Sequence, residues 1–299
     1  MSNTIISEIN RPRKINDVLS HHSAKDFFKK SLDFKSMQHL IINGNSGIGK
    51  TSIIQAFCRD YYGENYNNCV LELNASDDRG INIIRSSIKK FCSIKSYQGQ
   101  TKIVILDEFD NMTNDAQYAL RRIIEKYVSN VRFILICNYL CKIIPAIYSR
   151  CSVIKLTSLD LGEIETSFKS QNIETKYIKE LFDLCDCDLR KMYTFIDIFG
   201  KSYTLDDIYS YVFNVTFEDY RWLLDYSKND DRIFDEVFNF LKKKQLNITN
   251  LIDIYKFIYK KLKKNNHLFM LSNTQYKFIK CHEVIYNIFL MEICYINIL

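Results

Sequence analysis

The chain has 299 residues, of which 47% are hydrophobic and 25% are charged, and its net charge is +6. This balance excludes a disordered or collagen-like chain and allows two or three domains with buried cores. The cysteines are scattered without paired CxxC spacing, which indicates neither a zinc site nor a disulfide framework. The first residues lack the apolar segment of a secretory signal, so we expect reduced thiols and an intracellular location. The mild basicity is compatible with nucleic-acid binding and equally with an ordinary enzyme.

Short apolar runs alternate with helical patterns in the first half of the chain. Strands are predicted at 39–45, 69–74, 102–110, 132–138 and 152–156. Helices are predicted between them at 51–62, 80–92 and 114–127, the last beginning at an Asn or Asp cap. This alternation indicates a mostly parallel sheet covered on both faces, with its ligands at the carboxyl ends of the strands.

After about residue 158 the buried strand pattern stops, and every later segment has helical periodicity. We therefore expect a helical second half of one or two units. The apolar end of the chain, 284–299, is too short to cross a membrane and is predicted to be a core helix.

Three of the eight glycines fall within "GNSGIGKT" (44–51), between a predicted strand and a predicted helix. The stretch fits G-x-x-x-x-G-K-[ST], the phosphate-binding loop, in the context that this motif requires. Glycine lets successive backbone N–H groups approach phosphate oxygens, and the helix N-terminus adds positive potential. Lys50 is expected to reach the β- and γ-phosphates, and the Thr51 hydroxyl is expected to be a magnesium ligand.

Two acidic residues follow the third apolar strand in "IVILDEFD" (103–110). We expect Asp107 to hold magnesium beside Thr51, and Glu108 to polarise an attacking water as general base. Together the two motifs predict binding and hydrolysis of a nucleoside triphosphate.

Four stretches, 10–22, 71–85, 105–127 and 132–156, resemble the small subunits of replication factor C, with "NASDDRGI" and "SRC" as the most specific motifs. Those subunits form the sliding-clamp loader within the AAA+ ATPases. The resemblance implies an α/β fold with a P-loop AAA+ domain over 1–158, a small helical lid over 159–203 and an all-helical collar for oligomerisation over 204–299. It also implies ATP and Mg²⁺ as cofactors and a subunit that loads the clamp during DNA replication, in the nucleus or another site of replication. The implied partners are other loader subunits in a hetero-oligomeric, pentameric ring, the sliding clamp and primer–template DNA, with no membrane.

The resemblance assigns roles to individual residues. Asn138 matches the sensor of the γ-phosphate, Arg150 the arginine finger that enters the ATP site of the adjacent subunit, and Arg190 the second sensor on the lid. The implied catalytic set is Lys50, Asp107, Glu108, Asn138 and Arg150. The implied nucleotide-binding set is Arg11, Val18, Gly44, Asn45, Ser46, Gly47, Ile48, Gly49, Lys50, Thr51, Ser52, Asn138 and Arg190.

The sequence departs from the family at several of these positions. Asn45, Ser46 and Ile48 replace the usual loop side chains, but these positions present backbone, so the anion site should survive. Phe109 stands where the family has alanine, and Cys187 stands where glycine is usual before Arg190.

The predicted helix at 80–92 carries basic residues that the resemblance relates to DNA. We expect Arg79, Arg85, Lys89 and, after the sensor, Lys142 to contact backbone phosphates without reading bases. From the residues alone, a solvated basic helix face is equally compatible.

Two other functions stay open at this point. One is a structural ring subunit that binds nucleotide but turns over little, and mainly supplies the arginine finger. The other is a different AAA+ machine, such as a helicase or a helicase loader, although no aromatic–apolar–glycine threading loop is found in the sequence.

Overall fold

The computed structural model describes residues 10–30, 37–75, 81–94, 99–226, 239–240, 243–244 and 248–261, with side chains left undescribed at a few helical positions. The chain divides into two compact units. Met1–Gln171 with Asp186–Thr194 forms the first unit, and Asn172–Cys185 with Phe195–Leu299 forms the second.

The first unit contains a parallel sheet of five strands in the order β2-β3-β4-β1-β5. The strands are β1 His39–Asn43, β2 Val70–Asn74, β3 Lys102–Asp107, β4 Val131–Cys137 and β5 Cys151–Lys155. The predicted parallel sheet is thus confirmed, and β3 ends earlier than the predicted strand did. Because all strands run the same way, their carboxyl ends meet at one edge of the sheet.

Helices cover this sheet. Those of the first unit are α1 His22–Lys30, α2 Lys50–Tyr62, α3 Tyr66–Cys69, α4 Ile81–Ser93, α5 Asn114–Lys126, α6 Pro145–Tyr148 and α7 Leu161–Ser170. Helix α5 is capped by Thr113, whose Oγ1 accepts a hydrogen bond from Ala116 N at 3.4 Å. The predicted Asn or Asp cap of this helix was therefore wrong by one residue, because the Thr113 hydroxyl takes that role.

The inner strands β1, β3 and β4 contain uninterrupted apolar runs, at 40–42, 103–106 and 133–137. Every residue of β1 and β4 is buried, as expected for strands that are covered on both faces. The core between strands and helices joins Ile88 of α4, Phe109, and Leu120 and Ile124 of α5 to the inner strands.

A buried lysine at the start of β3 connects the carboxyl-terminal end of helix α4 to the sheet. Lys102, the first residue of β3, is only 2% exposed. Its Nζ donates to Phe91 O and to Ile94 O, each at 2.8 Å, and lies 4.6 Å from the centre of the Phe91 ring. Burial lowers the pKa of this ammonium group. The carbonyls at the helix end replace the water that Lys102 gives up.

The second unit is helical where it is described, which confirms the predicted change of architecture. Its helices are α8 Ile178–Leu184, the later part of α9 Leu189–Phe199, α10 Leu205–Phe213, α11 Phe217–Tyr226 and α12 Ile248–Lys261. Aromatic rings fill its interior, with the Phe195 ring centre 5.0 Å from that of Tyr203 and the Tyr209 ring centre 4.6 Å from that of Tyr220. The predicted helix at 284–299 lies outside the described residues.

The predicted boundaries at residues 158 and 203 stay predictions. The compact first unit includes residues on both sides of position 158. Within the described ranges, no helix combines the length and the apolar character needed to cross a membrane.

Candidate functional site

The glycine loop connects β1 to α2 at the carboxyl edge of the sheet. Strand β1 ends at Asn43 and α2 begins at Lys50. Gly47 has φ +68° and Gly49 has φ +91°, a region that residues with a Cβ rarely adopt. The positive φ angles at these two positions explain why the sequence has glycines here. They let the backbone change direction so that α2 can begin at Lys50.

Lys50 is almost fully buried, at 9% exposure. Its Nζ donates to Gly44 O at 2.9 Å, to Asn45 O at 2.6 Å and to Asn138 Oδ1 at 2.7 Å. Burial lowers the pKa of the ammonium group, and the Asp107 carboxylate opposes that shift. The structure therefore brings the predicted phosphate lysine and the predicted sensor into direct contact.

Thr51 and Asp107 also meet, although 56 residues separate them in sequence. The Thr51 hydroxyl donates to Asp107 Oδ2 at 2.6 Å, while Asp107 Oδ1 accepts from Glu108 N at 2.8 Å. Glu108 itself has φ +51°, and its carboxylate accepts from Asn111 Nδ2 at 3.2 Å. The sharp turn after β3 thus separates two adjacent carboxylates, with Asp107 beside the loop and Glu108 exposed.

The backbone around Asn138 is held by Asp110, which sequence analysis had not assigned. Asp110 is 5% exposed, and its Oδ2 accepts from Asn138 N at 3.3 Å and Tyr139 N at 3.2 Å. Asn43 Nδ2 donates to Asn138 O at 2.9 Å from the neighbouring strand. Asp110 is the last residue of "DEFD", so the only available signal was an acid three positions after Asp107.

A second unassigned residue, Gln117 on α5, fixes the segment that follows Asn138. This fully buried amide donates to Met112 O at 3.1 Å and to Lys142 O at 3.0 Å, and its Oε1 accepts from Ile144 N at 3.0 Å. All of its hydrogen-bonding groups that face the segment are paired, so Gln117 ties 142–144 to the helix. A single glutamine on an amphipathic helix carries no sequence signal for this role.

A cavity of about 230 Å³ lies above the glycine loop, and all of its lining residues belong to the first unit. The predicted residues that line it are Arg11, Val18, Ser46, Gly47, Ile48, Gly49, Lys50, Thr51, Ser52, Asp107, Glu108, Asn138 and Arg190. Gly44 and Asn45 are not among its described lining; their carbonyls face Lys50 instead.

Residues that sequence analysis had not named complete the far wall of the cavity. Gln171 accepts a hydrogen bond from Asn10 Nδ2 at 2.9 Å and donates to Tyr193 Oη at 3.2 Å, and these three side chains all line the cavity. Arg11 donates to Gln55 Oε1 at 3.3 Å on α2. The amino-terminal segment is thereby attached both to α2 and to the residues after α7.

Arg150 is absent from the described lining of this cavity. Its NH2 lies 2.8 Å from Glu125 Oε1, and its NH1 donates to Ala146 O at 2.6 Å and Ser149 Oγ at 3.3 Å. The guanidinium is therefore on the protein surface, held by α5 and α6.

Of the residues predicted to contact DNA, Lys89 and Lys142 are exposed. Lys142 Nζ lies 5.2 Å from the ring centre of Tyr139, which is itself 60% exposed. Arg79 and the side chain of Arg85 lie outside the described residues.

The oxygen atoms at Thr51 and Asp107 fit a magnesium site. Mg²⁺ prefers hard oxygen ligands and is usually held by one or two protein groups together with phosphate oxygens and water. Among the described residues no group of three or more His, Cys, Asp and Glu side chains could hold a metal by itself. The hydroxyl–carboxylate pair therefore suits an ion that arrives with phosphates better than an ion bound by protein alone.

Sequence comparisons identify similar proteins. A family model described as DNA polymerase III, delta subunit, matches residues 69–160. A probable replication factor C subunit 5 of Dictyostelium discoideum is 36% identical over 258 residues, which are 81% of this chain and 74% of that protein. Replication factor C subunit 5 of Homo sapiens is 38% identical over 74% of this chain and 68% of its own length. Replication factor C subunit 3 of Schizosaccharomyces pombe is 49% identical over 52% of this chain and 46% of its own length.

Among solved structures, a RuvB variant of Thermotoga maritima matches with a TM-score of 0.55 at 11% identity, over 84% of this chain and 91% of that one. At this level of identity the match supports the fold alone. The fold that the two chains share is consistent with a parallel sheet followed by helices.

Proposed function

The chain belongs to the replication factor C family, and on that premise we propose that it is an ATP-hydrolysing subunit of a sliding-clamp loader in DNA replication. It would act within a hetero-oligomeric ring, together with the clamp and primer–template DNA, at the site of replication. The proposed three-part organisation, with an ATPase domain, a lid and a collar at 1–158, 159–203 and 204–299, follows from the same premise.

One observation carries the ATPase proposal. Lys50 contacts Asn138 and Thr51 contacts Asp107 inside one cavity, although these residues come from three different strand ends. A cation, a hydroxyl, a carboxylate and an amide thus converge in one cavity, where they would surround the terminal phosphates of a bound nucleotide. A chance glycine turn gives no reason for all four groups to converge there.

Each group has a task in phosphoryl transfer. The backbone N–H groups of 46–51 and the start of α2 would bind phosphate oxygens, and Lys50 would compensate the charge that grows on the terminal phosphoryl group. Thr51 and Asp107 would hold Mg²⁺, which supplies further charge neutralisation when bound. Glu108, exposed after its turn, would accept a proton from the attacking water, and Asn138 would orient that water or the γ-phosphate.

Arg150 supports action across a subunit boundary. An arginine that stabilises the transferring phosphoryl group is worth about 10³–10⁵ in rate, so its position decides when hydrolysis can occur. Arg150 is held on the surface by Glu125, Ala146 and Ser149. It is therefore available to the ATP site of a neighbouring subunit.

The DNA proposal rests on exposed cations. Lys89 on α4 and Lys142 after the sensor would contact backbone phosphates, together with Arg79 and Arg85. Such contacts should give salt-sensitive binding with little base preference.

The decisive experiment measures ATP hydrolysis by the assembled loader with clamp and primed DNA, using wild-type, Glu108→Gln and Arg150→Ala forms of this subunit. We expect the Glu108→Gln subunit to bind ATP but no longer hydrolyse it. We expect Arg150→Ala to slow ATP hydrolysis at the site of the adjacent subunit. Undiminished hydrolysis in both variants would overturn the ATPase proposal. Loss in Arg150→Ala alone would instead support the weakly catalytic ring subunit.

A further inference from the structure

Two arginines share one carboxylate on the exposed face of α5. Arg121 Nε and Arg150 NH2 lie 2.9 Å and 2.8 Å from the same atom, Glu125 Oε1. The three side chains are each 36–40% exposed. Neither guanidinium belongs to the described lining of the cavity above the glycine loop, so Glu125 holds two cations outside that lining.

The Arg150 side chain is constrained at both sides of its planar group. Ala146 O and Ser149 Oγ accept hydrogen bonds from NH1, and Glu125 accepts one from NH2. A free arginine side chain loses considerable rotamer entropy when it is fixed, and a guanidinium that is already oriented loses less on reaching a phosphate. The carboxylate also offsets the mutual repulsion of two like charges.

The charge state of Glu125 suits a side chain that orients arginines. The hydrogen bond from Arg121 is the main cause that lowers the pKa of the Glu125 carboxyl, and the charge of Arg150 contributes. The two arginines thus favour the anionic form of Glu125. An uncharged amide at this position would keep the shape but lose the attraction to both guanidinium groups.

We propose that Glu125 is a positioning residue for Arg150, holding its guanidinium in the orientation from which it reaches the ATP site of the neighbouring subunit. The inference rests on the proposed function, because it requires Arg150 to act on a neighbour. It goes beyond that function by assigning the finger's orientation to a carboxylate on helix α5, whereas Arg150 lies in the turn after α6. Glu125 does not touch ATP in this scheme and acts only through the arginine.

The test is a double-mutant cycle in the assembled loader, arranged so that the ATP site facing Arg150 is the only one that hydrolyses. The four forms of this subunit are wild type, Glu125→Gln, Arg150→Ala and the double variant. We expect Glu125→Gln to lower kcat about 10-fold with KM for ATP nearly unchanged, since a misplaced catalytic group costs rate rather than ground-state binding. In the Arg150→Ala background the same change should have no further effect.

Glu165→Gln is the matched control, because Glu165 forms a similar exposed pair with Lys169 at 3.0 Å on α7. It should leave kcat unchanged. An equal loss from Glu125→Gln with and without Arg150 would mean that Glu125 acts on the fold of α5, and would overturn the inference. No loss in either background would overturn it as well. If Arg150→Ala leaves hydrolysis intact, both the finger role of Arg150 and its positioning by Glu125 are overturned, whereas ATP hydrolysis by this subunit itself is tested separately by Glu108→Gln.

Discussion

The carboxylate of Asp188 occupies the space that a side chain at Gly47 would need. A Cβ built on Gly47 would lie 1.7 Å from Asp188 Oδ1. Asp188 cannot move aside freely, because Oδ1 accepts from Arg190 N at 2.9 Å and from Lys191 N at 3.2 Å and so caps α9. In addition, Leu189 N donates to Gly47 O at 3.1 Å. The glycine loop and the start of α9, which carries Arg190, are therefore in direct contact.

We expect Gly47→Ala to weaken ATP binding at least about 10-fold, because the new methyl group displaces either the loop or the cap of α9 and the positive φ adds about 1–2 kcal/mol of strain. Gly200→Ala is the control, since Gly200 also has positive φ but no atom within 4 Å of its Cβ position. That variant should lose stability alone. Titration with a fluorescent ATP analogue, alongside thermal unfolding, separates the two effects.

Asp110→Ala should slow hydrolysis while leaving ATP affinity nearly unchanged. The substitution leaves Asn138 N and Tyr139 N without their buried acceptor, which costs about 1–3 kcal/mol and releases the sensor backbone. Single-turnover hydrolysis and urea unfolding measure the two consequences. Asp115→Ala, at an exposed acid in the first turn of α5, should change neither quantity by much. Equal rates in both variants would contradict a role for Asp110 in holding Asn138.

Gln117→Leu should reduce the DNA-stimulated part of ATP hydrolysis more than the basal part. Leucine keeps the approximate volume but leaves Lys142 O and Ile144 N unpaired, so the segment that carries Lys142 is no longer fixed to α5. Gln38→Leu serves for comparison, because Gln38 is exposed and accepts one hydrogen bond from Ser152. Assays with and without primed DNA distinguish the result from a general loss of folding, which would lower both rates together.

The stability of the fold should fall as the pH drops from about 6.5 to about 4, in part because of His39. Burial is the main cause that lowers the pKa of His39 to about 4, and the nearby Arg132 adds to it. Between those values the unfolded chain binds a proton that the folded chain does not, so the free energy of unfolding rises with pH across this window.

His39→Asn should flatten that dependence. The Asn Oδ1 can replace Nδ1 as the acceptor for Phe133 N, which lies 3.1 Å away, and it does not titrate. Urea unfolding of both proteins at several pH values between 4 and 7 measures the difference. An identical slope for both would show that other groups carry the pH dependence.

The sequence was sufficient for the sheet and for the contact between Thr51 and Asp107, because uninterrupted apolar strands and two motifs at strand ends define both. It was insufficient for Asp110, Gln117 and Glu125. These are polar residues whose roles depend on which backbone or side chain lies opposite, and the distant partners that define those roles stand 25 to 29 residues away. Periodicity shows which face of α5 is buried, but an amide inside that face and a carboxylate outside it look like ordinary helix residues.

The buried ammonium of Lys102 links the exchange behaviour of α4 to that of the sheet. Its ammonium group donates hydrogen bonds to the carbonyls of Phe91 and Ile94. If the helix end unfolded by itself, a buried cation would be left without hydrogen-bond acceptors. The last turn of α4 and the beginning of β3 should therefore open together, as one cooperative segment in hydrogen–deuterium exchange. Helix α4, which is proposed to contact DNA through Lys89, would then resist fraying at its carboxyl-terminal end.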